Sequence, residues 1–180
     1  ATPHALWALA AVSFIESSVF PIPPDVLLIP LIIARPAEAW RIAGICTLAS
    51  VAGGAFGYFI GWQFFEQIGR PVLEFYGKED RFDEFAASFN RYGSLAVLIA
   101  GITPFPYKVI TITSGSTGLN FGVFMISSLV ARGLRFFLIA ALLWRFGPPV
   151  RAFIEERLGL VFSIGMALLV GGFLAVGLIQ

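Results

Sequence analysis

The chain has 180 residues, of which 58% are hydrophobic and only 13% are charged, with a formal net charge of +1. Soluble domains carry about 45–50% apolar and about 25% charged residues, so this composition excludes an ordinary soluble protein and predicts an all-α integral membrane protein. The near-zero charge offers no basic surface for nucleic acid, and the single cysteine, Cys46, excludes an internal disulfide and a cysteine metal cluster.

The first apolar stretch, residues 6–34, is interrupted in its middle by Pro21, Pro23 and Pro24. Proline in a helix interior removes a backbone donor and breaks the helix. Each remaining arm is too short, at about 1.5 Å per residue, to cross about 30 Å of hydrocarbon. The stretch therefore predicts a re-entrant helical hairpin, whose non-helical turn must be buried in protein or line a wet cavity.

The next stretch, residues 42–65, has no charged residue and predicts a membrane-spanning helix. Gly53, Gly57 and Gly61 recur every four residues along it and predict a smooth face for close helix packing. Residues 70–92 are the part of the chain richest in charge and are amphipathic, which predicts a helix in the membrane interface; a partner-binding helix is the alternative. Residues 148–157 are a shorter piece of the same kind.

A second interrupted stretch, residues 94–119, holds Pro104, Pro106 and Lys108 and predicts a second re-entrant hairpin. Two further spans are predicted over residues 121–144 and 158–179. The first of these is apolar except for Arg132 and Arg135, and the second has no charge.

The two halves repeat, because Pro21 aligns with Pro104 and Pro23 aligns with Pro106. We predict a single membrane domain over residues 1–180, with repeats at about 5–77 and 93–157 and a C-terminal transmembrane helix at about 158–179. A hairpin returns to its own side and a span changes sides, so the second repeat is inverted. Many transporters with inverted repeats bind their substrate at the repeat interface.

Five ionisable residues lie inside the apolar stretches: Glu16, Asp25, Lys108, Arg132 and Arg135. Each costs several kcal/mol if it faces lipid, so we expect them to face the interior and to pair. They are the candidate substrate- or ion-binding site, although ion pairs that merely hold the bundle together are the alternative. Arginine can bind a phosphate with two hydrogen bonds, and an intramembrane carboxylate can bind a proton and couple it to movement.

A polar run follows the second proline cluster, with hydroxyls at Thr111, Thr113, Ser114 and Ser116. These side chains either line a cavity or satisfy the backbone of the broken helix, and the sequence leaves both interpretations open. Enzyme chemistry is not expected, because His4 is the only histidine and no acidic cluster inside the apolar stretches has metal-ligand spacing. No catalytic residue, metal site or cofactor is predicted.

A set of motifs spread over nearly the whole chain resembles the DedA superfamily, also called the VTT or SNARE-associated Golgi protein family, and within it the YqaA-like bacterial branch. The motifs are Phe14-x-Glu16, Phe20-Pro-Ile-Pro-Pro-Asp25, Gly53-Gly-x-x-Gly-Tyr58, Gly69-Arg70-Pro71, Thr103-Pro-x-Pro-Tyr-Lys108, Ser114-Gly115 and Arg132-Gly-x-Arg135-Phe136.

The resemblance implies a bacterial inner-membrane protein with two re-entrant hairpins, whose relatives are associated with moving phospholipids or undecaprenyl phosphate and with membrane-potential and pH homeostasis. It implies that Glu16 and Asp25 are the functional acids and that Arg132 and Arg135 are the functional arginines. One departure is Lys108, where the family pattern has an arginine; lysine is a compact point charge rather than a planar fork.

Two functions therefore stay open. The first is a flippase or scramblase for a phosphate-bearing lipid such as phosphatidylethanolamine or undecaprenyl phosphate, with or without ion coupling. The second is a proton/cation antiporter acting in membrane-potential and pH homeostasis. The expected partners are membrane lipids, with protons or cations and a second copy of the chain left open, and no nucleic acid.

Overall fold

The computed structural model describes residues 3–19, 23–103 and 106–147, and every regular element in those residues is a helix. A 3-10 turn, Pro36–Glu38, leads into the third helix, and a π-helical turn, Phe65–Gly69, leads out of it. The predicted interface piece at 148–157 and the predicted span at 158–179 lie outside the described residues. In chain order the helices are α1 (Pro3–Ser18), α2 (Asp25–Ala34), α3 (Ala39–Phe64), α4 (Arg70–Tyr76), α5 (Glu79–Arg91), α6 (Gly93–Ile102), α7 (Tyr107–Ser116) and α8 (Phe121–Gly147).

Among the residues that the structure describes, two helical runs are long and apolar enough to cross a membrane. They are Pro36–Tyr76, which contains α3, and α8. These runs confirm the spans predicted over residues 42–65 and 121–144. Helices α5 and α6 are bent by 72° where they meet, and together they form a third candidate, either as a broken span or as a re-entrant loop.

Proline-rich breaks separate α1 from α2 and α6 from α7. Pro24 directly precedes α2, and Pro106 directly precedes α7; Pro21 and Pro104 lie outside the described residues. Helix α1 has 16 residues, while α2, α6 and α7 have 10 each. At about 1.5 Å per residue, none of these arms reaches across about 30 Å of hydrocarbon. The same order of elements thus occurs twice: helix, break, helix and long helix.

The amphipathic region predicted over residues 70–92 is two helices rather than one piece. Helix α4 continues α3 through the π-helical turn, and it ends at Gly77, which has a left-handed φ of 60°. In α5, Phe82, Phe85 and Phe89 lie on one face, with ring centroids 6.3 and 6.0 Å apart. The Phe65 ring stacks on Phe82 at 4.2 Å, so this face turns back toward the end of α3.

Glycines bring α3 into backbone contact with α1 and α7. A methyl group at Gly53 would overlap the carbonyl oxygen of Phe14, and one at Gly61 would overlap the carbonyl oxygen of Ile112. From the opposite side, a methyl group at Gly115 of α7 would overlap backbone atoms of α3. The predicted smooth face is therefore confirmed. Because lipid is as apolar as the helices, such close van der Waals packing is what drives helices together in a membrane.

Helix α8 contributes to two separate apolar clusters. Near its start, Phe124 packs with Tyr58 of α3 and Tyr107 of α7. Further along, Phe136 and Ala140 pack in a cluster with residues of α1, α2 and α3. Arg132 lies between Phe124 and Phe136 in the sequence of α8, so the fold carries an arginine into its apolar interior.

Candidate functional site

A buried ion pair joins α1 to α8. The Nη2 atom of Arg132 lies 2.6 Å from the Oε2 atom of Glu16. The Arg132 side chain is 1% exposed and that of Glu16 is 12% exposed. Truncating one partner of such a pair leaves an uncompensated charge in the interior, so each of these residues requires the other.

Two serines complete the surroundings of this pair. The Nε atom of Arg132 donates to the Oγ atom of Ser50 on α3 at 2.5 Å. The hydroxyls of Ser50 and Ser17 are 2.7 Å apart, and Ser17 donates to Glu16 Oε2 at 3.1 Å. Each member of the ion pair therefore also has a hydrogen bond with a serine hydroxyl, and hydrogen bonds to charged groups are stronger than those between neutral groups.

Aromatic rings lie close to the Arg132 guanidinium. Its Cζ atom is 4.7 Å from the Tyr107 ring centroid and 4.8 Å from the Phe136 ring centroid. A cation attracts the face of an aromatic ring, and the attraction grows when water is excluded. The rings, together with the bonds to Ser50 and Glu16, fix where the guanidinium sits.

A second ion pair bridges the two breaks. The Nη2 atom of Arg135 binds the Oδ2 atom of Asp25, the first residue of α2. Its Nη1 atom donates to the carbonyl oxygen of Thr103, directly after α6, at 3.1 Å. The side chains of Arg135 and Asp25 are 18% and 19% exposed. Asp25 Oδ1 is buried without a hydrogen-bond partner among the described residues, so part of this carboxylate is unused.

Lys108 does not pair with either acid. Its Nζ atom donates to the carbonyl oxygen of Val19, which follows α1, at 3.3 Å. Cations are favoured at helix C-termini because the last carbonyls carry partial negative charge. Lys108 therefore ties the second break to the end of α1.

Among the four predicted hydroxyls, two bind backbone carbonyls. Thr111 bonds to the carbonyl oxygens of Ser17 and Lys108 at 3.1 and 2.9 Å. Ser116 bonds to those of Gly61 and Ile112 at 3.3 and 3.0 Å. The other two hydroxyls belong to Thr113, which is partly buried, and Ser114, which is fully buried.

An open apolar groove of about 390 Å³ lies between the end of α3 and α7. None of the five ionisable residues lines it, although Ser116 does. Within residues 3–19, 23–103 and 106–147, no group of three or more metal-binding side chains comes together. The two acids and the two arginines of α8 are thus engaged in two ion pairs, and none of them lines this groove.

Residues 22–145 match the family model of the VTT domain. The chain belongs to the VTT domain family. It is 37% identical over 155 residues to an uncharacterised protein of Haemophilus influenzae, covering 84% of this chain and 80% of that protein.

A second VTT relative, from Histophilus somni, is 36% identical over 155 residues, which cover 84% of this chain and 81% of the relative; it too is named as uncharacterised. No solved structure matches the chain. Four of the five ionisable residues lie within the VTT match, and Glu16 precedes it. The bacterial relatives indicate a bacterial membrane.

The predicted pairing of acids with bases is confirmed for both acids in this VTT protein. Sequence reasoning missed Ser17, Ser50, Tyr107 and Phe136 as neighbours of the pair. A signal existed for Ser50, which is a polar residue in a span without charge, and for Ser17, which directly follows Glu16. The two aromatic residues carried no signal that separates them from ordinary packing residues.

Proposed function

We propose that this VTT domain protein moves a phosphate-bearing lipid between leaflets and binds its headgroup at Arg132 and Arg135. The main support for this proposal is that both arginines lie within the fold and that each is paired with a carboxylate. A phosphate presents oxygens of the same kind as a carboxylate and binds arginine equally well. A headgroup can therefore displace Glu16 or Asp25 from its arginine.

The broken helices supply the route in this proposal. Arg135 contacts residues at both breaks, namely Asp25 and Thr103. We place the two breaks against each other near the midplane of a bacterial inner membrane, as re-entrant hairpins of an inverted repeat. Binding sites of inverted-repeat transporters lie at that level. The headgroup would pass between the breaks while the acyl or prenyl tails stay in lipid.

The balance of charge favours an anionic ligand over a cation. Glu16 and Asp25 are each matched by an arginine, and Lys108 adds a positive charge that no acid pairs with among the described residues. A bare cation would find both carboxylates already paired with arginines, and the additional positive charge of Lys108 would repel it. The proton/cation antiporter is therefore the second candidate, and the experiment below separates the two.

The test is headgroup accessibility in proteoliposomes. The purified protein is reconstituted with labelled phosphatidylethanolamine, phosphatidylglycerol or undecaprenyl phosphate, and the rate of headgroup movement is measured. We expect Arg132→Ala and Arg135→Ala each to lower this rate by about tenfold or more, because each removes a charged hydrogen-bond donor worth about 1.5–3 kcal/mol. Arg145→Ala is the matched control, because Arg145 lies on the same helix with an exposed side chain.

An equal loss of rate in Arg145→Ala, Arg132→Ala and Arg135→Ala would contradict a headgroup site at Arg132 and Arg135. Movement of ions without movement of any lipid would support the antiporter instead. Lipid movement that is specific for one headgroup would identify the substrate.

Coupling to an ion is tested with the acids. If Glu16 or Asp25 exchanges a proton during transport, Glu16→Gln or Asp25→Asn should make the transport rate insensitive to a pH gradient, because an amide cannot bind a proton at these pH values. The rate is measured with and without a gradient of about two pH units. Normal gradient dependence in both variants would show that neither carboxylate couples transport to protons.

A further inference from the structure

The four groups around the first ion pair form a closed ring of hydrogen bonds. Arg132 contacts Glu16 directly through Nη2, and it contacts Ser50 through Nε. Ser50 contacts Ser17, and Ser17 contacts Glu16. The ring draws one side chain from α8, one from α3 and two from α1.

Counting protons fixes the direction of every bond in this ring. A guanidinium only donates and a carboxylate only accepts. Ser17 has one hydroxyl proton and donates it to Glu16, so its oxygen accepts the proton of Ser50. Ser50 in turn accepts from Arg132 Nε. Each proton is used once. The hydrogen bonds through the two serines therefore all point from the cation toward the anion, an alignment in which they polarise one another.

We propose that Ser50 and Ser17 are positioning residues that hold Arg132 and Glu16 in the paired arrangement. Ser50 binds the Nε atom of the Arg132 guanidinium, which leaves Nη2 for Glu16, and Ser17 gives the Glu16 carboxylate a second donor. The importance of this ring of hydrogen bonds for transport rests on the proposed function, whereas the ring itself is independent of that function.

Ser13 provides a matched control at the same helix interface. It lies one turn before Ser17 on α1, and its hydroxyl donates to the carbonyl oxygen of Cys46 on α3 at 2.8 Å. Ser13 and Ser17 are both fully buried. Among the hydrogen bonds of the described residues, none joins Ser13 to Glu16 or Arg132. Replacing Ser13 therefore removes a buried hydroxyl between α1 and α3 without removing any hydrogen bond of the ring.

The test measures how well Glu16 is held, without any transport assay. Dicyclohexylcarbodiimide reacts with protonated, unpaired carboxyls inside membrane proteins, and mass spectrometry locates the product. The full chain in proteoliposomes is labelled at neutral pH, and labelling of Glu16 is expressed relative to Asp25, which belongs to the other ion pair. We expect Ser50→Ala and Ser17→Ala to raise this ratio by about tenfold, because a hydrogen bond to a charged group is lost.

Ser13→Ala should leave the ratio near its wild-type value, and Ser50→Thr, which keeps the hydroxyl, should restore it. The proposal is overturned if Ser50→Ala and Ser13→Ala give the same ratio, or if Ser50→Thr labels as strongly as Ser50→Ala. Wild-type protein that moves no lipid would refute the proposed function alone, because the labelling ratio still decides whether the serines hold the pair. With lipid movement present, Ser50→Ala should also slow it while Ser13→Ala does not.

Discussion

Replacing Arg132 with alanine is expected to lower the free energy of unfolding by about 3–5 kcal/mol, the usual cost of removing one partner of a buried ion pair. The Arg132 side chain is 1% exposed, and its loss leaves Glu16 without the donor that lies 2.6 Å away. It also removes the cation from the Tyr107 and Phe136 rings. Unfolding of the purified variant in detergent, followed by circular dichroism, measures this change.

The double variant Glu16→Gln plus Arg132→Gln separates charge from packing. Removing both charges avoids an unpaired ion, so the double variant should lose less stability than Arg132→Ala. Arg145→Ala, on an exposed part of α8, should change stability by less than about 1 kcal/mol. If Arg132→Ala and Arg145→Ala were equally stable, Arg132 would not be paired in the interior as described.

Leucine at Gly61 is expected to destabilise the protein by about 3 kcal/mol, at the upper end of the usual overpacking cost. A side chain at this position collides with the carbonyl oxygen of Ile112 on α7. That oxygen belongs to a helix backbone and cannot move aside by a rotamer change, so α3 and α7 must separate. The same unfolding measurement, together with the fraction of protein that runs as a single species in size-exclusion chromatography, checks this.

Gly44→Leu is the control within the same helix. A Cβ atom at Gly44 meets nothing within 4 Å among the described residues, so we expect little change in stability there. Gly115→Leu should resemble Gly61→Leu, because Gly115 contacts the backbone of α3 from the α7 side. Similar stability of Gly44→Leu and Gly61→Leu would contradict the backbone contact between α3 and α7.

Much of this fold could be predicted from the sequence, because a membrane simplifies the problem. A long uncharged run has few alternatives to a spanning helix. The proline clusters predicted the two breaks, and Pro24 and Pro106 directly precede α2 and α7, although Pro30 lies inside α2. The glycine period in α3 predicted its packing face. The region after the predicted span was predicted less well. The sequence indicated a separate amphipathic piece from residue 70, but proline is tolerated in the first turn of a helix, and α4 continues from α3 through a π-helical turn.

The sequence could predict which charged residues belong to the site, but it could not predict which acid pairs with which base. Arg132 and Arg135 are three residues apart, so both face the same side of α8, and the sequence could not assign Glu16 to one and Asp25 to the other. That assignment depends on how α1 and α2 are placed against α8. The third base, Lys108, had no acid left, and it binds a backbone carbonyl at the end of α1 instead. Every residue has a backbone carbonyl, so the sequence does not indicate which one will accept a hydrogen bond.

The Tyr107 and Phe136 rings lie beside the Arg132 guanidinium and keep water away from it. An arginine in water must shed its hydration shell whenever it binds an anion, and this offsets much of the attraction. In this protein the shell has been shed during folding. If the proposed function holds, an incoming phosphate would lose only its own water and would exchange places with a carboxylate. Because buried charges are poorly screened by salt, binding at Arg132 should depend little on ionic strength.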